Sequence, residues 1–228
     1  MNASYFNTGI YTIRDASHLT GVSVGRIRRW LRGYRYRSGK RTYASAPLWE
    51  GQWEPIDHSL ALGFLDLIEI RFVDAFLKQG VSWATLRHAR ERAKELFKVS
   101  HPFCTNQFVS DGRDIFVELH EKTGEAGLLD IVRRQHVFAS IVKPFLKDLE
   151  FLNGSGVVRW WPMGVNRQVV LDPTRNFGRP ILARRGVPTE ILARAVVASG
   201  STEEVSRWFE VPAREIEEAV EFERQLAA

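Results

Sequence analysis

The chain has 228 residues, of which 44% are apolar and 26% are charged, a globular composition that excludes a disordered, collagen-like or coiled-coil protein. No stretch approaches the roughly 18 uncharged apolar residues of a membrane-spanning helix, and the first seven residues lack the basic and apolar segments of a secretory signal. A single cysteine cannot form an internal disulfide, so we expect a reduced, cytoplasmic protein.

The cations are concentrated in one short segment. The chain carries 32 Lys and Arg against 27 Asp and Glu, which gives a net charge of +5. Residues 26–41 contain eight cations and no acid, residues 159–194 contain seven arginines and two acids, and residues 203–228 contain three arginines and eight acids. The dense positive field of residues 26–41 favours a polyanionic partner, above all nucleic acid. The alternative is an ordinary solvated surface.

The first predicted elements are two short helices. Thr12 suits the N-cap of a helix that runs to about residue 19, and Gly21 suits the tight turn after it. Ser23 suits the N-cap of a second helix over residues 24–31, whose apolar spacing predicts an inward face. The arginines of this second helix then lie on or beside the outer surface. Helix, glycine turn and basic helix form a helix-turn-helix pattern.

Aromatic and basic residues alternate directly after the second helix. The order is Tyr-Arg-Tyr-Arg at 34–37, Ser-Gly at 38–39 and Lys-Arg-Thr-Tyr at 40–43, which predicts a small hairpin, or wing. In a winged helix-turn-helix the second helix enters the major groove, and the wing lies against the phosphate backbone. We therefore expect the DNA-binding residues to be Ser23, Arg26, Arg28, Arg29, Arg32, Tyr34, Arg35, Arg37, Lys40, Arg41 and Tyr43.

The middle of the chain is predicted to combine helices with two further hairpins. Apolar spacing indicates a helix over residues 60–77 and another over residues 82–97. Residues 103–120 alternate around Asp-Gly at 111–112, a pattern typical of a hairpin. Residues 128–146 are predicted to be mostly helical, and residues 148–162 to form the second hairpin.

The last part of the chain is predicted to contain short strands at 169–171 and 181–182, followed by three helices. The helices are expected at Thr189–Ser199, Thr202–Phe209 and residues 212–226. The third helix carries five glutamates, which would repel a phosphate backbone. We therefore assign DNA contact to the basic head. The apolar residues of the third helix are expected to dimerise, or alternatively to pack within their own domain: Ile216, Val220 and Phe222.

The head resembles the DNA-binding domain of MerR-type regulators. The resemblance covers most of residues 1–100 and implies a winged helix-turn-helix. It is carried by Tyr11-Thr12-Ile13, by Gly21-Val22-Ser23, by the stretch from Arg28 to Tyr36, and by Gly80-Val81-Ser82 before a later helix. The chain departs from the family in its longer, tryptophan-containing loop after the wing and in lacking a long dimerisation helix. Its lone Cys104 argues against metal sensing.

The C-terminal part is similar to a small domain of VapB-type antitoxins, which belong to toxin–antitoxin pairs with PIN-like ribonuclease toxins. The matching motifs occur in order at 170–173, 177–181, 186–189, 198–205 and 212–219. The resemblance implies a toxin partner. Because PIN-like nucleases have a carboxylate-lined metal site, antitoxin arginines are expected to contact it: Arg179, Arg184 and Arg185. The usual Gly-Thr-Arg stretch of the family is Arg-Arg-Gly here, at 184–186.

No catalytic motif was found in the sequence. It lacks a Walker loop, HExxH, GxSxG, CxxC and a glycine-rich dinucleotide fingerprint. The six histidines are scattered, and His101 with Cys104 supplies only two ligands, fewer than a zinc site needs. We therefore expect no catalytic residue, no bound metal and no cofactor, and we do not expect an enzyme.

Together these patterns predict a mainly α fold with short β-hairpins. A winged helix-turn-helix domain is expected at residues 1–100, a connecting hairpin and helix region at 101–166, and a three-helix antitoxin domain at 167–228. The predicted function is a type II antitoxin that binds operator DNA for autoregulation and neutralises a PIN-like toxin, as a cytoplasmic homodimer. The alternative is a MerR-like transcription regulator that responds to a small effector bound within residues 60–162.

Overall fold

The computed structural model describes residues 8–56, 59–123, 135–152 and 156–227. These residues are mainly helical, with short antiparallel strand pairs, which confirms the predicted fold class at this level. The chain divides into two compact units. The N-terminal unit is Tyr11–Lys143, and the C-terminal unit combines Pro144–Ala228 with Met1–Ile10. These bounds differ from the three predicted segments, whose separate roles stay a prediction.

The N-terminal unit begins with two helices and a hairpin. Strand β1 (Tyr11–Thr12) leads directly into helix α1 (Ile13–Thr20), which is followed by helix α2 (Val24–Arg32). Strands β2 (Tyr34–Ser38) and β3 (Arg41–Ser45) pair antiparallel. The elements predicted for residues 12–43 are therefore present in the predicted order.

Local hydrogen bonds explain where α1 and α2 begin and end. Thr12 Oγ1 accepts a hydrogen bond from the Asp15 amide at 3.1 Å, and Asp15 Oδ2 accepts one from the Thr12 amide at 2.9 Å, which is a reciprocal capping box. Gly21 ends α1 with φ of 70°, a left-handed conformation that favours glycine. Ser23 precedes α2, and its carbonyl accepts from the Ile27 amide at 3.1 Å. Its side chain makes no capping hydrogen bond in the described structure, so that part of the prediction is wrong.

The rest of the N-terminal unit is built from longer helices. Strand β4 (Ala61–Leu62) pairs with β1, and helices α3 (Phe64–Lys78), α4 (Trp83–Phe97), α5 (Asn106–Thr123) and α6 (Gln135–Asp148) follow. The N-terminal unit includes α6 only as far as Lys143. The predicted helix at 128–146 is confirmed from residue 135; residues 128–134 lie outside the described ranges. Phenyl rings from α3, α5, α6 and the loop before α5 are buried together in the core: Phe72, Phe76, Phe103, Phe108, Phe116 and Phe138.

The hairpin predicted around residues 111–112 is wrong, because both residues lie inside α5. A Cβ placed on Gly112 would lie 2.8 Å from the Phe108 ring and 2.9 Å from the Phe138 ring, closer than van der Waals contact allows. Glycine is therefore needed here for the close approach of aromatic rings and not for a turn. An Asp-Gly pair is a strong local turn signal, but burial of the phenyl rings favours the helix.

The C-terminal unit contains two strand pairs. The predicted hairpin at 148–162 is confirmed as strands β5 (Leu149–Leu152) and β6 (Gly156–Trp160), while residues 153–155 lie outside the described ranges. Strands β7 (Val169–Val170) and β8 (Ile181–Leu182) pair antiparallel, with Val169 opposite Leu182. Both predicted strand positions are therefore confirmed.

Three helices complete the C-terminal unit: α7 (Thr189–Ser199), α8 (Thr202–Phe209) and α9 (Ala213–Ala227). They match the three predicted tail helices to within one residue. The Ser201 hydroxyl accepts a hydrogen bond from the Glu204 amide at 3.2 Å, which caps the start of α8. Over the residues that the structure describes, no helix combines the length and apolar character needed to cross a bilayer.

Candidate nucleic-acid and protein interfaces

Helix α2 has a buried apolar face and an exposed basic face. Ile27, Trp30 and Leu31 are buried, as their spacing predicts. The exposed face carries three of the predicted DNA-binding arginines: Arg28, Arg29 and Arg32. The apolar face holds the helix against the core, so these cations are presented to solvent from a fixed scaffold.

Arg26 is the exception among the arginines of α2. Its Nη1 lies 2.8 Å from Oδ1 of Asp74 on α3, and Lys78 Nζ lies 2.8 Å from Oδ2 of the same carboxylate. Asp74 is buried, and the Arg26 guanidinium also lies 5.0 Å from the centre of the Trp30 ring. The structure thus gives Arg26 an internal role in holding α2 against α3. Its predicted DNA contact stays a prediction, because the single charge of Asp74 is shared with Lys78 and balances only part of the charge of Arg26.

The hairpin separates its tyrosines from two of its arginines. Tyr36 pairs with Tyr43 and Ser38 with Arg41, whereas Arg35 and Arg37 pair with Ala44 and Thr42. Because paired residues share one face of a sheet and successive residues alternate, the strands divide these side chains between two faces. One face carries Tyr34, Tyr36, Arg41 and Tyr43, and the other carries Arg35 and Arg37. The sequence analysis placed them all in one DNA-binding set without noticing this division.

The tyrosine face is exposed and adjoins the basic face of α2. Tyr34, Tyr36 and Tyr43 are 37%, 47% and 42% exposed, and neighbouring ring centres are 5.8 Å and 5.5 Å apart. The Arg29 guanidinium lies 6.0 Å from the centre of the Tyr34 ring. A basic helix face therefore continues into an aromatic strand face.

Most cations of the predicted set are free of acidic partners. Within the described residues, no ion pair is formed by Arg28, Arg35, Arg37, Lys40 or Arg41, and all five side chains are exposed. Ser23 is also exposed, at the start of α2. Because neighbouring cations without counter-charges attract a polyanion strongly, this surface is suited to a phosphate backbone.

The base of the hairpin is attached to α4 through Arg87, a residue that the sequence analysis did not identify. Its two terminal nitrogens donate to the carbonyl oxygens of Pro47 at 2.8 Å and Ala46 at 2.7 Å. Its guanidinium lies 5.8 Å from the centre of the Trp83 ring, which stacks on Trp30 of α2 with centres 6.1 Å apart. Two arginines and two tryptophans thus form one stack that connects α2, α4 and the hairpin.

A second buried group of polar side chains fastens the tryptophan-containing loop after the hairpin. Asp66 Oδ1 accepts from Trp49 Nε1 at 2.8 Å and lies 2.9 Å from His101 Nε2. Its Oδ2 accepts from the Gly63 and Gln52 amides at 2.8 Å and 2.9 Å. Since every contact satisfies a buried polar group, we interpret this cluster as structural.

Cys104 belongs to the same buried region. Its thiol lies near the Leu65 carbonyl at 3.4 Å, and burial raises the pKa of Cys104 well above its ordinary value, so the thiolate nucleophile is scarce there. Within the described ranges, no cluster of three or more His, Cys, Asp or Glu side chains is arranged to hold a metal ion.

The structure divides the arginines of residues 159–194 into internal and exposed ones. Arg159 pairs with Asp172 at 2.9 Å and Arg167 pairs with Glu218 at 3.2 Å. Burial alone would raise the pKa of Asp172, but hydrogen bonds from Thr174 and Arg159 prevail and lower it. These two arginines therefore stabilise the C-terminal unit itself.

The three predicted toxin-binding arginines differ in their surroundings. Arg179 and Arg184 are exposed and make no ion pair with any described residue. Arg185 Nε lies 3.7 Å from Glu215 Oε2, so part of its charge is balanced by α9. Arg179 and Arg184 are consequently the better candidates for contact with a partner.

The residues predicted to dimerise are largely inside the C-terminal unit. Ile216 and Phe222 are buried within a single chain, whereas Val220 is half-buried. Helix α9 packs against α7, α8 and both strands of the β7–β8 pair. Ile216 and Phe222 thus contribute to the core of their own unit, as the alternative interpretation of the sequence allowed.

No family model matches the chain, and comparisons with known proteins include one similar sequence and one similar structure, both from Mycobacterium tuberculosis. One is a protein of strain H37Rv described as "Putative antitoxin VapB45", 27% identical over 198 residues that cover 80% of each chain. The other is the X-ray crystal structure of Rv2018, which covers 94% of this chain and 99% of its own with a TM-score of 0.72. At 20% identity, this second likeness shows a shared fold.

Proposed function

We propose that this protein is the antitoxin of a type II toxin–antitoxin pair. The relative described as an antitoxin supports this proposal, because its similarity extends over 80% of each chain and thus includes parts of both units. The N-terminal unit binds operator DNA, and the C-terminal unit binds the toxin. This division follows the charges, since exposed unpaired cations crowd α2 and the hairpin while α9 is rich in glutamate.

The observation that carries the DNA-binding part is the joined surface of α2 and the hairpin. In our proposal α1, α2 and the hairpin act as a winged helix-turn-helix similar to that of MerR-type regulators. Helix α2 enters the major groove with Arg28 and Arg29 directed at bases and phosphates. The hairpin cations contact the backbone and fix the register of the protein on the duplex. We leave Arg26 out of this contact set because it is held against Asp74, whose single charge it shares with Lys78.

The toxin-binding part of the proposal is a PIN-like ribonuclease as the partner. Arg179 and Arg184 contact carboxylates of the toxin, a pairing that arginine makes with well-defined geometry. Binding of the toxin–antitoxin complex to its own operator regulates the pair, and a homodimer in the cytoplasm presents two heads to two half-sites. In this proposal the chain has no catalytic activity of its own.

The DNA-binding part is tested by measuring affinity for a promoter fragment at several salt concentrations. Lys40→Ala should weaken binding about equally for all sequences and lower the salt slope by roughly one. Arg28→Ala should instead relax sequence preference. Lys94→Ala, which removes an exposed cation of α4, is the matched control and should change neither. Equal behaviour of all three variants would contradict the assigned surface.

The antitoxin part is tested by co-expression. The product of the neighbouring gene should arrest growth when expressed alone, and this chain should restore growth and co-purify with that product. Growth arrest that this chain cannot relieve would refute the antitoxin assignment, whatever the DNA measurements show.

A further inference from the structure

Phe177 stands out in the C-terminal unit as an exposed aromatic residue held in an unfavourable backbone conformation. Its side chain is 58% exposed, and its backbone is left-handed, with φ of 54° and ψ of 27°. The preceding Asn176 is also left-handed, with φ of 45°. Asn tolerates this region, but a bulky residue there is a genuine outlier. A backbone of this kind persists only where the surrounding structure imposes it.

The surrounding loop does impose this conformation. The Gly178 amide donates to the Arg175 carbonyl at 2.9 Å, and the Arg179 amide donates to the Asn176 carbonyl at 3.0 Å. The Phe177 carbonyl accepts from the Ile10 amide at 3.1 Å. The loop is therefore closed by hydrogen bonds on both sides of Phe177, and the result is a large apolar ring directed at solvent.

The loop of Phe177 is tied to the loop that carries Arg184. Arg175 Nη1 donates to the Ala183 carbonyl at 2.6 Å, and a Cβ on Gly186 would lie 2.9 Å from Arg175 Nη2. Arg175 thus connects the loop of Phe177 to the loop of Arg184. The joined loops present one exposed aromatic ring together with the two exposed, unpaired cations Arg179 and Arg184.

We infer that Phe177 is the apolar anchor of the toxin-binding surface, with Arg179 and Arg184 beside it. This inference rests on the proposed function. The partner that fits is an acidic protein surface with an apolar depression next to its carboxylates. The depression accepts the phenyl ring, and the carboxylates accept the guanidinium donors. Aromatic and arginine side chains are enriched among the residues that dominate binding energy at protein interfaces. We define the Phe177 surface as Phe177, Arg179 and Arg184.

The test uses the full chain and the purified product of the neighbouring gene, with affinity measured by calorimetry. Phe177→Ala and Phe177→Gly should each weaken binding at least about tenfold, as expected for an anchor residue. Phe177→Gly should melt no lower than wild type, because glycine adopts the left-handed backbone without strain. Trp208→Ala, which removes another exposed aromatic ring of the same unit, 62% exposed, should change the affinity by less than about twofold.

The outcomes separate this inference from the proposed function. No binding by the wild-type chain overturns both. If the wild-type chain binds the partner and both Phe177 variants bind it equally well, the inference is overturned and the proposed function stands. The same holds if Trp208→Ala loses as much affinity for the partner as the Phe177 variants do. Two further measurements on Phe177→Gly test whether the ring contacts nucleic acid or a second copy of the chain instead. A loss of DNA affinity with intact partner binding, or a smaller assembly in sedimentation without partner, would assign Phe177 to nucleic acid or to a second copy and overturn the inference.

Discussion

The ion pair of Arg26 with Asp74 gives the sharpest prediction about the proposed DNA-binding surface. Arg26→Ala removes one of two cations on the buried Asp74 carboxylate and leaves the Lys78 ammonium 2.8 Å away. Breaking a buried ion pair costs about 3–5 kcal/mol, whereas an exposed ion pair is worth about 0–1 kcal/mol. The Arg26 side chain is 36% exposed, and Lys78 remains as a partner for the carboxylate. We therefore expect a loss of about 1–2 kcal/mol in the free energy of unfolding.

The same substitution should leave the salt dependence of DNA binding unchanged. Each phosphate contact contributes about 0.9 to the slope of log K against log salt concentration, and in our proposal Arg26 contacts Asp74 and not phosphate. Arg26→Ala should then weaken DNA binding through a less firmly held α2, with the wild-type slope. Arg28→Ala is the matched control: it should leave stability within about 0.5 kcal/mol and change DNA recognition.

A double-mutant cycle in urea provides the decisive assay. Asp74→Asn should destabilise the chain by itself, and Arg26→Ala added to it should cost little more, which gives a coupling energy of about 1 kcal/mol. The reasoning is refuted if Arg26→Ala leaves stability unchanged and lowers the salt slope. Arg26 would then contact phosphate directly, as the sequence alone predicts.

Three further predictions concern other parts of the chain. Gly112→Ala should lower the free energy of unfolding by about 1–3 kcal/mol, because its Cβ meets two buried rings. Gly25→Ala, whose Cβ meets nothing within 4 Å, should raise it by up to about 1 kcal/mol. Thermal melts of both variants measure the two changes in stability. Arg87→Ala should speed tryptic cleavage in the arginine-rich hairpin while costing only about 1 kcal/mol of global stability, and an unchanged cleavage rate would contradict the assigned attachment. The pKa of Asp172 is lowered below its ordinary value of 3.8, so its pairing with Arg159 stabilises the fold above pH 3.8. This contribution is lost as the pH falls below the lowered pKa. The difference in the free energy of unfolding between wild type and Asp172→Asn should therefore vanish in acid.

Elements controlled by local chemistry could be predicted from the sequence. The Thr12 cap, the Gly21 turn and the three tail helices depend on residues within a turn or two of one another, and their predicted bounds agree with the structure. The helix at 106–123 could not be predicted in this way, because its packing at Gly112 depends on the Phe138 ring of another helix. Sequence spacing indicates the local preference for a turn, and here a contact with a residue distant in the sequence overrides that preference.

The candidate surfaces also combine local features, which the sequence predicts, with contacts between distant residues, which it does not predict. The exposure of Arg28 follows from helix periodicity, and the alternation of the hairpin follows from strand pleating. The ion pair of Arg26 with Asp74 could not be predicted in this way, since these residues are 48 positions apart in the sequence. Phe177 was part of a recognised motif, but its exposure depends on a left-handed backbone that sequence patterns do not reveal.

The connectivity of the two units has a consequence for synthesis on the ribosome. The N-terminal unit is one continuous segment, so it has all its residues as soon as position 143 has emerged, and domains complete in this way fold during translation. The C-terminal unit joins residues 8–10 to 144–227, and it waits for helix α9, which is made later. A nascent chain in this interval presents a finished basic head while its C-terminal unit is still incomplete.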